Sequence, residues 1–307
     1  MRSSLTGIRA GSWGPKPHLP AARKSKGLVS DPGDSAMPTG KWHTTSAGEM
    51  LEELLTADAE ERRMISSDVE LARKVQLSLL PRDMPKLEGY EFFGGSAPSQ
   101  GVSGDYFEIF ERNNGTECVL LLADVSGTRL SASMLTGYLE ALTAISVERN
   151  LEPHEILNAI SGPFHRKTPA DQFATMILAV LEPAGGSLRY ASAGHPPAFV
   201  VRNTGDVSWF QPTGVPIGIV ADAEYDVEVS HLNRGEILVL YSDGFIDAVN
   251  PAQEEFGADR MAAVFNRHRS DELSMIATRL ECTIAEFTAG RGITDDRTLL
   301  MARRNPS

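Results

Sequence analysis

Aspartates at four places in this 307-residue chain, one of them an adjacent pair, stand beside apolar runs that read as β-strands. Asp105 lies in Ser103-Gly104-Asp105-Tyr106-Phe107. Asp124 follows Val119-Leu120-Leu121-Leu122-Ala123 and precedes Val125-Ser126-Gly127. Asp243 follows Ile237–Ser242 and precedes Gly244. Asp295 and Asp296 precede Arg297-Thr298-Leu299-Leu300. A carboxylate next to a buried strand is costly unless its charge is compensated. Taken singly, each Asp reads as a turn residue, since Asp beside Gly commonly makes an Asx turn. Four of them converging on one end of a sandwich would repel one another, and a pair of divalent cations resolves that conflict. Oxygen-only ligands favour hard ions such as Mg²⁺ or Mn²⁺ over zinc or copper. Two such ions, about 4 Å apart, can acidify a water and orient it for in-line attack on phosphorus.

Competing chemistries fit less well. Asp124-Val125-Ser126-Gly127 matches the DxxG element of GTPases, but the chain has no phosphate-binding Gly-rich loop ending in Lys-Ser or Lys-Thr. No serine sits in a G-x-S-x-G elbow. His195, in Ala193-Gly194-His195-Pro196-Pro197, reads as a structural turn residue before it reads as a general base. Cys118 and Cys282 stand too far apart to suggest a disulfide framework or a cysteine zinc site. The net charge of −12 argues against nucleic acid as the main partner. No uninterrupted apolar stretch of about 18 residues predicts a membrane span. The start of the chain lacks an apolar signal core. The expected location is the cytoplasm.

The elements that must position these aspartates follow from periodicity. Residues 1–46 carry seven Lys or Arg against two Asp, a balance of +5 that leaves −17 for the remainder. This segment, rich in Ser, Gly and Pro, is expected to be a disordered basic arm. Residues 47–82 read as a helical linker. Ser46 with Glu49 fits a capping box, and Met50, Leu51, Leu54 and Leu55 recur at helical spacing. Ser67 with Glu70 suggests a break or restart. Ile65, Val69, Ala72 and Leu79 continue the stripe, and Pro81 stops it. This stripe must pack on its own domain or on a second copy of the chain. From Tyr90 the pattern turns β-rich. Strands are predicted at Tyr106–Glu111, Cys118–Asp124, Phe173–Leu181, Leu188–Ser192, Ala198–Arg202, Ile237–Tyr241 and Thr298–Ala302. Helices are expected at Ser131–Glu148, after Pro153, and over Ala258–Phe287 with a break near Ser270. Hairpin strands with helices inserted in blocks point to an α+β sandwich.

In their order, the motifs resemble the PPM-type (type 2C) serine/threonine phosphatases, in the bacterial branch of stage II sporulation E and RsbU-like proteins. They run from Ala72-Arg73-Lys74-Val75-Gln76 and Leu79-Leu80-Pro81 through Ser103-Gly104-Asp105-Tyr106-Phe107 to Ala123-Asp124-Val125-Ser126-Gly127. Phe173-Ala174-Thr175-Met176, Ala193-Gly194-His195-Pro196-Pro197 and Tyr241-Ser242-Asp243-Gly244 follow. Phe256-Gly257 with Asp259-Arg260, then Asp295-Asp296-Arg297-Thr298, complete the series. The resemblance implies two stacked antiparallel β-sheets flanked by helices, over residues 83–304. It implies a metal-dependent phosphatase with two Mn²⁺ or Mg²⁺ ions, an activated water as nucleophile, and no covalent phosphoenzyme. On that resemblance, Asp124 bridges both ions and Val125 offers its carbonyl to the second. Asp243 and Asp295 complete the first ion, and Asp105 holds the second, partly through water. Asp124 and Asp105 thereby carry the catalytic role. Asp296 either joins them or orients its neighbour.

Departures from the family pattern matter. Thr128-Arg129 replaces the usual His-Gly. Arg129 is either a binder of substrate phosphate or a solvated surface residue. Ser103 replaces a Gly, and Glu108 an Asp. None of these removes an implied ligand, so an active enzyme is expected; a degenerate, regulatory binding module is the alternative. The implied substrate is a phosphorylated anti-sigma-factor antagonist of the STAS class. Control is expected through helix 47–80, by a homodimer or by a separate regulatory protein.

Overall fold

The computed structural model describes residues 59–99, 101–127 and 129–306, and within them all side chains except those of 59–63 and Arg129. The expected basic arm 1–46 and the helix start at Ser46, with Met50, Leu51, Leu54 and Leu55, lie outside the described residues. Among the described residues the order begins with α1 (Ala59–Leu79), β1 (Tyr90–Ala97), β2 (Asp105–Arg112) and β3 (Glu117–Val125). Helices α2 (Arg129–Val147) and α3 (Pro153–Lys167) follow, then β4 (Ala174–Glu182), β5 (Ser187–Ala193), β6 (Ala198–Val201), β7 (Val207–Phe210), β8 (Glu228–His231) and β9 (Ile237–Tyr241). A 3-10 turn (Asp243–Phe245), α4 (Ala258–Arg267), α5 (Leu273–Phe287) and β10 (Arg297–Arg304) complete it.

Two five-stranded antiparallel sheets result. One has the order β1-β10-β9-β6-β7, the other β2-β3-β4-β5-β8. Strand parity explains why they stack with helices outside. Successive side chains on a strand point to opposite faces. On β3, Leu120 and Leu122 face the gap between the sheets, where they meet Phe107, Ile177, Leu238, Leu240 and Leu300. Val119, Leu121 and Ala123 point the other way, onto Leu139 of α2 and Ile156, Ile160 and Phe164 of α3. The first sheet repeats this logic: Val239, Tyr241 and Met301 face outward onto Phe265 of α4 and Leu280 and Ile284 of α5. Central strands buried on both faces must be continuously apolar, which is the pattern read from Cys118–Ala123.

Helix α1 runs unbroken through Ser67, so the expected restart there does not occur. Ile65, Val69, Ala72, Gln76 and Leu80 form its half-buried side, while Leu79, expected in that stripe, is 36% exposed. The inner stripe holds the turn together where the capping signal suggested a break. Its outer side shows Met64, Leu71 and Val75 to solvent. Helix α2 is the one helix among the described residues long and apolar enough to cross a bilayer by composition. It packs on β2, β3, α1 and α3 as an outer layer of the sandwich.

Candidate metal centre

The same parity that builds the core delivers polar groups to one end of it. Asp105 shares its face of β2 with Phe107 and Ile109, and Asp124 shares its face of β3 with Leu120 and Leu122. Thr175, Ser242 and Thr298 continue the inward-facing series of β4, β9 and β10. The gap that is apolar in the middle therefore ends in a polar plug. Asp105 and Asp124 sit directly opposite each other in the β2–β3 register, and Thr175 sits opposite Asp124 on β4. Like charges placed directly opposite across strands destabilise a sheet.

The carboxylates respond accordingly. Asp105 is buried, and that burial, together with repulsion from Asp124, holds its carboxyl well above the usual range. The nearby hydroxyls of Thr298 and Ser242 offset part of this. Its Oδ2 is buried without a hydrogen-bond partner. Asp124 is pushed up to about 7 by burial, then by Asp243, Asp295 and Asp296. Asp243 rises to about 6, through burial and then Asp295 and Asp247. Each charged neighbour that moves Asp124 is itself an aspartate.

Two glycines permit the approach. A Cβ on Gly104 would lie 2.9 Å from the Val125 carbonyl oxygen and 3.2 Å from Asp124 Oδ1. A Cβ on Gly244 would collide with the carbonyl of Asp296. The β9 and β10 ends are thus pressed together, carrying Asp243 beside Asp295. The resulting cleft, about 310 Å³, is lined by Gly104, Asp124, Val125, Gly127, Asp295 and Asp296 among others.

Asp296 has a separate job. Its Oδ1 accepts from Ser99 N (2.6 Å), and its Oδ2 accepts from Ser103 Oγ (2.7 Å) and Gly104 N (2.8 Å). It staples the loop before Asp105 to the start of β10, so its side chain is an orienting group here. Asp295 stays exposed, with Oδ1 accepting from Asp296 N at 2.8 Å. Arg297, to which the sequence assigned no role, is buried. It donates from Nε to the Gly244 carbonyl (3.0 Å) and from Nη1 to Glu281 (3.0 Å), bracing the Asp243 turn. Gln76 was also missed as a contact. Its Nε2 donates to the Ser103 carbonyl (2.6 Å) and its Oε1 accepts from Ser103 N (2.8 Å), tying α1 to the Asp105 loop. Its place on the inner stripe, between Ala72 and Leu80, was the available signal.

His195 is structural, as read. It is fully enclosed between Thr175 Oγ1 (2.8 Å from Nδ1) and the Tyr241 carbonyl (3.1 Å from Nε2). Nε2 donates to that carbonyl, so Nδ1 accepts from Thr175. Burial lowers its pKa to about 3. It links Thr175, opposite Asp124, to Tyr241, two residues before Asp243. Thr128 and the Arg129 side chain lie outside the described residues; the backbone of Arg129 opens α2.

Among the described residues, no three Asp, Glu, His or Cys side chains converge into a finished metal cage. Asp124, Asp295 and Asp296 instead line an open cleft, while Asp105 is buried. Their donor chemistry still fits a hard divalent cation: oxygen only, an unsatisfied buried Asp105 Oδ2, and Asp105 and Asp124 carboxyls raised first by burial and then by neighbouring aspartates. Asp105, Asp124, Asp243, Asp295 and the Val125 carbonyl are the groups that would hold it.

Comparison with known proteins agrees with this architecture. The chain is 28% identical over 181 residues to the phosphoserine phosphatase RsbU of Bacillus subtilis, covering 59% of this chain and 53% of that one. It is 23% identical over 265 residues to protein IcfG of Synechocystis, covering 78% of this chain and 42% of that one. The chain thus spans about half the length of these curated relatives. The solved SiaA-PP2C domain of Pseudomonas aeruginosa shares the fold, with a TM-score of 0.71 at 21% identity over 80% of this chain and 99% of that one. Residues 114–305 match the family described as Stage II sporulation protein E (SpoIIE). That match takes in most of both sheets and all helices after α1, and the chain belongs to the SpoIIE family of PP2C-type phosphatase domains.

Proposed function

We propose that this chain is a metal-dependent protein serine/threonine phosphatase acting on a phosphorylated bacterial regulatory protein. The observation that carries this reading is the Asp105–Asp124 pair, one buried and one half-buried, set directly opposite each other with Asp243 and Asp295 near Asp124. Such a constellation costs stability unless positive charge occupies it. Two Mg²⁺ or Mn²⁺ ions bound there would supply positive charge to a phosphoryl group and acidify a water.

The chain's own residues have defined tasks. Asp124 and Asp105 present oxygens from one sheet, Asp243 and Asp295 from the other. Val125 adds its carbonyl. Asp296 fixes the Asp105 loop, and Arg297 fixes the Asp243 turn. His195 holds its proton at Nε2 against the Tyr241 carbonyl and takes no part in proton transfer. Arg129, at the start of α2, is the group we assign to substrate phosphate, where a guanidinium can bond two oxygens at once. The substrate in this reading is a small antagonist protein of the STAS class, and the action is cytoplasmic. The name of RsbU, a phosphoserine phosphatase, supports the activity in this reading. We place regulation in α1, whose Gln76 reaches the Asp105 loop, through a second copy of the chain or a separate regulatory protein on its exposed side.

The test is hydrolysis of an aryl phosphate and of a phosphoserine protein with added Mn²⁺, beside Asp124→Asn and Asp243→Asn. Turnover should appear with the metal, stop with a chelator, and be lost in both variants. A folded wild type that binds Mn²⁺ and turns over neither substrate would replace this reading with a regulatory binding module.

A further inference from the structure

The end of the sandwich remote from the aspartates carries the opposite charge. Thr298 and Arg303 lie five residues apart on β10, which separates the two ends by about 17 Å at the usual strand rise. An open cavity of about 450 Å³ lies beside Arg303, lined by Asn203, Arg234, Gly235, Arg269 and Asn305 among others. Three arginines line one cavity in a chain whose net charge is −12.

The arginine at its base is built in. Arg303 is 9% exposed. Its Nη1 donates to Glu91 (2.9 Å), and its Nη2 donates to the carbonyls of Arg269 (3.1 Å) and Asp271 (2.6 Å). Its Nε is buried without a partner. Those bonds also draw the Arg269 backbone to the cavity. The Arg269 side chain spends only Nη1, on Asn266, which leaves donors of its fork uncommitted. Asn203 Nδ2 donates to the Arg234 carbonyl at 2.7 Å and fixes that turn, while the Arg234 side chain stays exposed.

The nearby acids are already engaged. Glu91 pairs with Arg303, Asp271 with Arg279 at 2.7 Å, and Glu236 with Arg202 at 2.8 Å. The cavity is therefore electropositive and offers forked donors beside neutral amides. Guanidinium forks match the oxygens of a phosphate group, two at a time. The space is within the range of small-molecule pockets.

We propose that this cavity binds a phosphate group, borne by a small molecule or as free phosphate, at a site separate from the aspartate cleft. The proposal does not depend on the catalytic reading. The two sources share one chemistry and separate by affinity.

Calorimetric titration of the full chain with inorganic phosphate, sulfate and a nucleoside monophosphate, in chelator, tests it. Wild type should bind saturably, and the double variant Arg234→Ala/Arg269→Ala should bind at least about tenfold more weakly. Asp124→Asn should bind as wild type does, which separates this site from the cleft. Arg234→Lys/Arg269→Lys should retain part of the affinity, because charge survives without the fork. A nucleotide binding about tenfold tighter than inorganic phosphate identifies a phosphorylated small molecule as the ligand. Equal affinity identifies the free anion. Thermal melts verify that the variants fold. No saturable binding of any of the three anions, or equal binding by wild type and the double alanine variant, overturns the proposal.

Discussion

Asp124→Asn should stabilise the metal-free chain at alkaline pH. The Asp124 carboxyl is raised from 3.8 to about 7, first by burial and then by neighbouring aspartates. At about 1.36 kcal/mol per pH unit, this corresponds to a charge cost of roughly 4 kcal/mol above pH 7. Asp105 shares the repulsion and the cleft is open to water, so about half of that, roughly 2 kcal/mol, is the expected gain on removing the charge. The folded chain binds the Asp124 proton more tightly than the unfolded chain does. Between about pH 4 and pH 7 the folded state therefore holds more protons, and this contribution is lost as pH rises through that window. Wild type and Asp124→Asn should melt together below about pH 4, diverge between about pH 4 and pH 7, and be fully separated by pH 8. In chelator the variant should melt higher by several degrees, at about 2–4 °C per kcal/mol for a domain of this size. Mn²⁺ should reverse the order by raising only the wild type. The difference between the two proteins is the quantity to read, because other groups titrate in the same range. Equal melting at pH 5 and pH 8, or a less stable variant at pH 8, would refute the electrostatic argument.

Three further outcomes follow from named contacts. Gln76→Ala removes both bonds to Ser103 and should cost about 1–2 kcal/mol; the Mn²⁺ concentration for half-maximal stabilisation should rise severalfold, and an unchanged value would disconnect α1 from the cleft. Asp296→Ala removes three charge-assisted bonds and should cost about 2–4 kcal/mol in chelator, measured by urea unfolding; a loss only when metal is present would make Asp296 a ligand instead. His195 is held at about 3 by burial, so the folded chain binds fewer protons there, and stability falls as pH drops from about 6.5 toward 3. His195→Gln should lose that acid-side slope in the same unfolding titrations, and an unaltered slope would mean that the imidazole is not buried neutral.

Much of the centre was legible because strand parity and charge cost are both local properties. The seven predicted strands all occur, and their inward series end in Asp105, Asp124, Thr175, Ser242 and Thr298. Three strands escaped. β8 is polar and largely exposed (Glu228–His231), and β7 has four residues, so neither shows alternation. β1 contains Gly94-Gly95, which weakens any strand signal, and it forms only because β10 pairs along its whole length. The restart at Ser67 was a capping signal overruled by tertiary packing of Ile65, Val69 and Ala72. The division of labour between Asp295 and Asp296 was left open, because which of two adjacent carboxylates turns inward depends on the distant Ser99–Gly104 loop.

The carboxylates at this end of the sandwich come from both sheets: Asp105 and Asp124 from one, Asp243 and Asp295 from the other. Any cation held among them would act as a cross-link between residues about 190 positions apart, closing a very long loop. Such a cross-link cannot form until both sheets have stacked. It belongs to the last stage of assembly and is absent from an early transition state. Loading the centre should therefore leave the folding rate almost unchanged and slow unfolding instead. The metal's contribution would be kinetic persistence of the assembled sandwich, with the amides of β3 and β9 exchanging last.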